Sequence, residues 1–174
     1  MTKQQAMSEL IRAHKAFCED AKNFFPETFH QSFNGKWSVA QNVEHINKSI
    51  APIVKYFSIP KEVIETKFGL CNHSSVSKEE ISDAYKEVLL KGIKAPDRLV
   101  PGSAEETWEV LTGTGNTTLN TLITQLENWN EEDLEKYNCP HLFLGNLTPR
   151  EMLYFTICHE EHHHHTIKHI KRLV

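Results

Sequence analysis

Histidines are concentrated near the end of this chain, where residues 159–165 read His-Glu-Glu-His-His-His-His. His159 and His163 are four residues apart, so an α-helix would place both imidazoles on one face, one turn apart. Neutral imidazole is a common ligand of divalent metals. The spacing therefore predicts that His159 and His163 bind one metal ion together.

Other interpretations of the same run remain open. Histidines on a polar helix can simply face solvent, and a short run also resembles an engineered tag. Residues 159–163 match the HExxH pattern of zinc proteases, but neighbouring histidines make a chance match easy. We expect His162, His164 and His165 to face solvent, because five consecutive side chains cannot share one helix face.

A catalytic metal site of this kind needs a third protein ligand. The candidates elsewhere in the chain are His14, His30, His45, His73 and His141. His45 falls in a predicted helix but lies about 120° from the centre of its apolar face. Helical geometry alone therefore does not select the third ligand.

Four long segments show the three-to-four-residue apolar spacing of amphipathic helices. They cover residues 3–25, 37–60, 104–129 and 148–173. Pro52 is expected to kink the second segment. Gly113 and Gly115 weaken the third segment, which leaves open a start as late as Asn116.

The connections between these helices are long. Residues 61–102 are predicted to form a connection with one short helix of its own, at residues 78–90. No run alternates apolar and polar residues over a useful length, so no sheet is expected beyond a short strand pair. The pattern predicts an all-α four-helix bundle, not a simple up-and-down meander, as a single domain over residues 1–174.

Composition excludes several classes of protein. The 174 residues carry a net charge of −4, which argues against binding to nucleic acid. No apolar stretch is long enough for a membrane span, and residues 1–10 lack the apolar region of a secretory signal. The four separated cysteines form no CxxC pair, so we expect a cytoplasmic protein with reduced thiols.

Three segments resemble signatures of the DinB-like superfamily. Residues 37–46, Trp-Ser-Val-Ala-Gln-Asn-Val-Glu-His-Ile, resemble its tryptophan-to-histidine motif. Residues 141–152 resemble its connection before the last helix, and residues 159–163 resemble its terminal histidine pair. Lys94-Ala95-Pro96 followed by Pro101 is similar to the DinB_2 branch. Together the resemblance covers about residues 8–173.

The resemblance implies a four-helix bundle of the DinB and YfiT type with a divalent metal bound by His45, His159 and His163. It also implies activities, since the family includes proteins described as metal-dependent hydrolases and others that are thiol-dependent S-transferases. Zinc and nickel are both expected cofactors, because both suit imidazole ligands. Cys139 departs from the family's pattern in the connection.

Three functional hypotheses follow. The first is a metal-dependent hydrolase acting on a small molecule, and the second is an S-transferase that uses a low-molecular-weight thiol. The third is a non-catalytic metal-binding or stress-associated module. Glu160 and His162 neighbour the expected ligands and are candidate general bases, although both are expected on the solvated helix surface.

Other residues near the expected site have simpler roles. Trp37 and Cys158 are expected to pack rather than to react, and Asn116 is expected either to line the cavity or to cap a helix. A homodimer is expected as well, because apolar residues of the long connection would otherwise be exposed to solvent. These residues are Val63, Ile64, Phe68 and Leu70.

Overall fold

The computed structural model describes residues 1–102 and 105–173, and within these ranges the chain forms eight α-helices, a 3-10 turn and one hairpin. The helices are α1 (Lys3–Ala21), α2 (Pro26–Phe29), α3 (Val39–Phe57), α4 (Lys61–Phe68), α5 (Lys78–Leu90), α6 (Trp108–Glu127), α7 (Asp133–Lys136) and α8 (Pro149–Ile170). The 3-10 turn covers Asp97–Leu99, and strands β1 (Cys139–His141) and β2 (Gly145–Leu147) pair antiparallel.

Four long helices, α1, α3, α6 and α8, form the bundle. Helix α1 packs most extensively on α8, and α3 packs most extensively on α6. Helix α3 also contacts α8, and α1 contacts α6, which closes the ring. The predicted all-α four-helix bundle is therefore confirmed, as is the small extent of its sheet.

Capping boxes begin α3, α5 and α8 where the sequence pattern predicts them. Ser38 accepts a hydrogen bond from the amide of Gln41, and the Gln41 side chain accepts one from the amide of Ser38. Thr148 and Glu151 form the same reciprocal pair at the start of α8. These pairs satisfy amides that have no partner within the helix.

Several predicted boundaries are wrong. Helix α1 ends at Ala21, and Pro26 begins the separate short helix α2. Helix α6 begins at Trp108 rather than at Asn116, because burial of its first turns outweighs the low helix propensity of its glycines. Ala104, the earliest start considered, lies outside the described residues. Helix α3 ends at Phe57 and contains Pro52, and the kink expected at that proline stays a prediction.

The long connection holds one helix more than the sequence predicts, since α4 precedes α5. Helix α5 packs against α8 and so forms a fifth wall beside the bundle. Within the connection Ile64 is fully buried by the chain itself, whereas Val63 and Leu70 are exposed. The homodimer stays a prediction. No helix among the described residues has the length and apolar character that crossing a bilayer requires.

Gly115 lies where α6 approaches buried polar groups of two other helices. A Cβ atom there would stand 2.6 Å from Asn47 Oδ1 and 3.0 Å from His14 Cε1. Both neighbours are held in place, because Asn47 donates to the Leu111 carbonyl and His14 is hydrogen-bonded to Glu160. We expect Gly115→Ala to lower the free energy of unfolding by about 1–3 kcal/mol, as overpacking does.

Gly113 provides the matched control on the same helix. A Cβ atom at Gly113 would meet nothing within 4 Å. Gly113→Ala should therefore raise the free energy of unfolding by about 0.5–1 kcal/mol through helix propensity alone. Urea unfolding of both variants measures the contrast. Equal effects of the two substitutions would show that the close approach at Gly115 does not constrain the core.

Candidate metal centre

The imidazoles of His45, His159 and His163 converge between helices α3 and α8. One ring nitrogen from each residue lies within 4.8 Å of the other two. His45 Nε2 and His159 Nε2 are 3.1 Å apart. Two nitrogens bound to one tetrahedral zinc ion, each at about 2.0–2.1 Å, stand about 3.3 Å apart. The spacing of these two nitrogens is thus close to that of ligands sharing one ion.

Hydrogen bonds fix the orientation of two of these rings. His45 Nδ1 donates to the Leu99 carbonyl at 2.8 Å, and His163 Nδ1 donates to Asn42 Oδ1 at 2.6 Å. The Asn42 amide group in turn donates to the Ser38 carbonyl, which turns its oxygen toward His163. With Nδ1 protonated in both rings, each Nε2 keeps a lone pair for a metal.

Aromatic side chains enclose the three imidazoles. The Trp37 ring centre lies 4.8 Å from that of His45 and 6.1 Å from that of His163, nearly parallel to the latter. Phe155 stacks on His159 at 5.3 Å, and Tyr85 of α5 contacts the same ring edge-on at 5.7 Å. Trp37 packs as expected, and it also covers the histidine cluster.

Burial keeps the three imidazoles neutral. Burial lowers the pKa of His45, and it lowers the pKa of His159 and His163 well below the ordinary value, with the neighbouring histidines adding to the effect. A charged imidazolium loses its hydration in such a setting and has neighbours of the same sign. Neutral imidazole is the form that binds a metal.

The other histidines that were candidates for the third ligand lie apart from this cluster. Within the described residues, the group that could share an ion contains none of His14, His30, His73 and His141. His141 contacts the cluster through Phe155. Its ring packs on Phe155 with centres 4.2 Å apart, and Phe155 in turn stacks on His159. The structure brings together the same three residues that the family resemblance implies.

Glu160 is buried, and the expectation of a solvated carboxylate is wrong. Its side chain faces α1, where Oε1 accepts a hydrogen bond from His14 Nδ1 at 2.8 Å. Burial disfavours a charged His14, but hydrogen bonds to Cys18 and Glu160 outweigh burial and raise the pKa of His14 to about 10. Because Glu160 is engaged with His14, it is directed away from the three imidazoles.

The remaining histidines of the run differ in exposure. His165 faces solvent as predicted. His164 is instead paired with Asp20 at 2.7 Å, and His162 is half-buried with its ring 5.7 Å from that of Tyr85. Solvent exposure was predicted for all three, so the prediction fails for two of them because α1 and α5 flank this turn of α8.

Two further predictions have clear outcomes. Cys158 is buried, consistent with a packing role, and burial raises its pKa to about 11. Asn116 is exposed in the middle of α6 and neither lines the cluster nor caps the helix. Sequence reasoning missed Asn42, the Leu99 carbonyl and Tyr85. Of these three, only Asn42 could have been suspected from the sequence, because its position three residues before His45 places both on the same face of the helix.

The chain is a helical bundle in which three neutral imidazoles from two long helices are placed so that they could hold one metal ion. The family model of the DinB superfamily matches residues 9–167, which is most of the chain. The chain belongs to the DinB superfamily. No curated protein and no solved structure matches it.

The buried neutral histidines predict a loss of stability in acid. A histidine whose pKa is lowered on folding stabilises the protein above its unfolded pKa, and this contribution disappears as pH falls. Between about pH 6.5 and pH 5.0, His159 and His163, whose pKa values are lowered well below the ordinary value, should each cost the metal-free protein about 1–2 kcal/mol of stability. The pKa of His14 is raised instead, to about 10. Its contribution to the free energy of unfolding is therefore lost only as the pH rises toward 10.

His163→Gln tests this assignment on metal-free protein by urea unfolding at both pH values. We expect the stability of the variant to fall by about 1–2 kcal/mol less than that of the parent protein between the two pH values. The exposed His165 lies on the same helix, so His165→Gln should keep the parent's pH dependence. A parent-like slope in His163→Gln would contradict the neutral state of His163 in the folded protein.

Proposed function

We propose that this protein is a metal-dependent enzyme, a hydrolase of small molecules, whose divalent ion is bound by His45, His159 and His163. The observation that carries the proposal is the convergence of three buried, neutral imidazoles within 4.8 Å of one another. Membership of the DinB superfamily supports it. Zinc and nickel are the ions proposed, because both accept imidazole nitrogen.

The surroundings of the three imidazoles fit a resident ion. The Leu99 carbonyl and Asn42 Oδ1 accept hydrogen bonds from ring nitrogens that would not face the metal. Such outer contacts orient metal-binding histidines in proteins and increase their basicity. Three protein ligands leave at least one coordination position open, which is the arrangement of catalytic rather than structural zinc sites.

A divalent ion in an open site supplies Lewis-acid chemistry at neutral pH. The chain's own residues provide the setting. Trp37 and Phe155 exclude water from the imidazoles, and their rings offer an apolar surface to a bound small molecule. Tyr85 keeps its hydroxyl proton because burial raises its pKa, so it can donate a hydrogen bond to a substrate.

His162 is the residue proposed to carry a proton. It is half-buried, its ring centre is 5.0 Å from that of His163, and burial lowers its pKa, so it is neutral at pH 7. A neutral imidazole can accept a proton during hydrolysis. Glu160, the other candidate base, is excluded from this role by its hydrogen bond to His14.

The engagement of Glu160 also favours a second candidate function, transfer of a low-molecular-weight thiol. A thiol ionises more readily than water and depends less on a strong neighbouring base. The same three imidazoles would serve this reaction. Ester hydrolysis and thiol transfer are therefore assayed side by side on zinc-loaded and nickel-loaded protein.

Metal stoichiometry tests the site itself. We expect one zinc or nickel ion per chain in the parent protein and in His165→Ala. His159→Ala and His163→Ala should each lose the ion, since two imidazoles no longer form the site. Variants that bind the ion as tightly as the parent would place the metal elsewhere, whatever the activity assays show.

Asn42 offers a graded test of the same site. Asn42→Leu keeps a similar volume but removes the acceptor for His163 Nδ1. We expect a 10- to 100-fold weaker affinity for zinc, as measured by competition with a chelating dye, because the ring loses its orienting contact. Gln41 is the neighbouring control residue, since it lies outside the cluster and caps α3. A Gln41→Glu variant should keep the parent's affinity.

Activity decides between enzyme and non-catalytic module. We expect chelation to abolish the reaction and to lower the melting temperature, and zinc or nickel to restore both. A verified metal-free protein with full activity would refute a catalytic role for the ion. One bound ion with no turnover on either class of substrate would favour the metal-binding module.

A further inference from the structure

A second group of reactive side chains lies away from the three imidazoles, at the N-terminal end of α8. It consists of Cys71 and His73 from the loop between α4 and α5, with Glu151 from the first turn of α8. His73 Nδ1 is 3.2 Å from Cys71 Sγ, and His73 Nε2 is 3.0 Å from Glu151 Oε2. Cys71 Sγ is also 3.8 Å from His73 Nε2, so the thiol lies beside the imidazole and nearer to Nδ1, while the carboxylate contacts Nε2.

The carboxylate of this group is rigid. Glu151 is almost fully buried, and its Oε2 also accepts a hydrogen bond from the Thr148 amide at 2.7 Å. Its Oε1 accepts one from the Val76 amide at 2.8 Å. These contacts fix the carboxylate so that it accepts the proton on His73 Nε2, which leaves His73 Nδ1 to receive a proton from the thiol.

The loop that carries the thiol and the imidazole is anchored on both sides. The Cys71 amide donates to the Lys136 carbonyl, and the Ser75 amide donates to Glu135. The Ser75 hydroxyl is also 2.6 Å from the Thr148 hydroxyl. The Asn72 amide oxygen is farther from His73 Nδ1, at 3.5 Å. The thiol is therefore the nearer partner of that nitrogen.

Cys71 is also the most accessible thiol of the chain. It is half-buried, and the neighbouring His73 side chain is 39% exposed. The other three cysteines, Cys18, Cys139 and Cys158, are buried. A thiol beside an oriented imidazole and open to solvent is the setting in which cysteines react with disulfides and other soft electrophiles.

We propose that Cys71 is a nucleophilic thiol, activated by His73 and Glu151, that undergoes thiol–disulfide exchange with low-molecular-weight disulfides. The thiol proton passes to His73 Nδ1, and the thiolate attacks one sulfur of the small disulfide. A bond forms between Cys71 Sγ and that sulfur, the small disulfide's own sulfur–sulfur bond breaks, and the leaving thiolate takes the proton from His73. The products are a mixed disulfide on Cys71 and one free small thiol.

Native protein treated with oxidised glutathione tests the site of reaction. Peptide mapping by mass spectrometry should find one glutathione on Cys71 and none on the three buried cysteines. Cys71→Ser should remove the adduct. An adduct on another cysteine, or no adduct under conditions that modify a free cysteine peptide, would overturn the proposal.

The rate of alkylation by iodoacetamide at pH 7 tests the activation. A free thiol is only a few per cent ionised at this pH, so we expect Cys71 to react about tenfold faster than a free cysteine peptide and than Cys71 in His73→Gln. Glu151→Gln, which removes the charge and replaces one accepting oxygen by an amide donor, should give an intermediate rate. The exposed His169 supplies the control, since His169→Gln should react like the parent.

The comparison with the free peptide needs no variant and so does not depend on whether the variants fold. A parent protein whose Cys71 reacts no faster than the peptide would refute activation by His73. A parent that reacts faster, together with an unchanged rate in both His73→Gln and Glu151→Gln, would refute the assigned roles of these two residues.

Discussion

Every residue of α8 from Pro149 to Glu160 is buried, so the polar side chains of this stretch cannot turn to water. A buried polar group without a hydrogen bond costs about 1–3 kcal/mol, and a buried charge costs more. Thr156 donates to the Met152 carbonyl within α8, whereas Glu151, His159 and Glu160 find partners in other parts of the chain. The positions of α1, α3 and the long connection around α8 follow from the need for these partners.

The partners differ from turn to turn along α8. In the first turn Glu151 binds the loop before α5 through the Val76 amide. Two turns later His159 contacts His45 of α3, while Glu160, which points about 100° away around the helix, binds His14 of α1. One helix thus joins the bundle on two faces, and its face toward α3 brings the three imidazoles together.

How far the sequence predicts this arrangement depends on the range of each interaction. The capping boxes at Ser38 and Thr148 and the pairing of His159 with His163 are local, and local spacing predicts them correctly. The family resemblance supplies His45, which helix geometry alone did not select. The direction of Glu160 was not predictable, because a carboxylate next to an expected metal ligand and another glutamate gives no sign that α1 will cover it.

The contacts that orient the imidazoles were even less predictable from the sequence. The Leu99 carbonyl is a backbone atom, so no side-chain pattern in the sequence could reveal that it binds His45. Tyr85 belongs to a helix within a connection, and its approach to His159 depends on how α5 folds back over α8. Such contacts depend on tertiary packing between segments far apart in the chain, which periodicity does not describe.

The histidine cluster and the proposed thiol site share α8 but are separated along it. Glu151 and His159 are eight residues apart, which is about 12 Å of helix axis. Hydrogen bonds at the first turn involve the loop before α5, whereas His159 is hydrogen-bonded to His45 of α3 and contacts the Tyr85 ring of α5, so these contacts share no side chain. Contacts at such a separation with no common partner contribute independently to stability. A reaction at Cys71, as proposed, therefore need not disturb the imidazoles, and a change at the imidazoles need not alter the thiol.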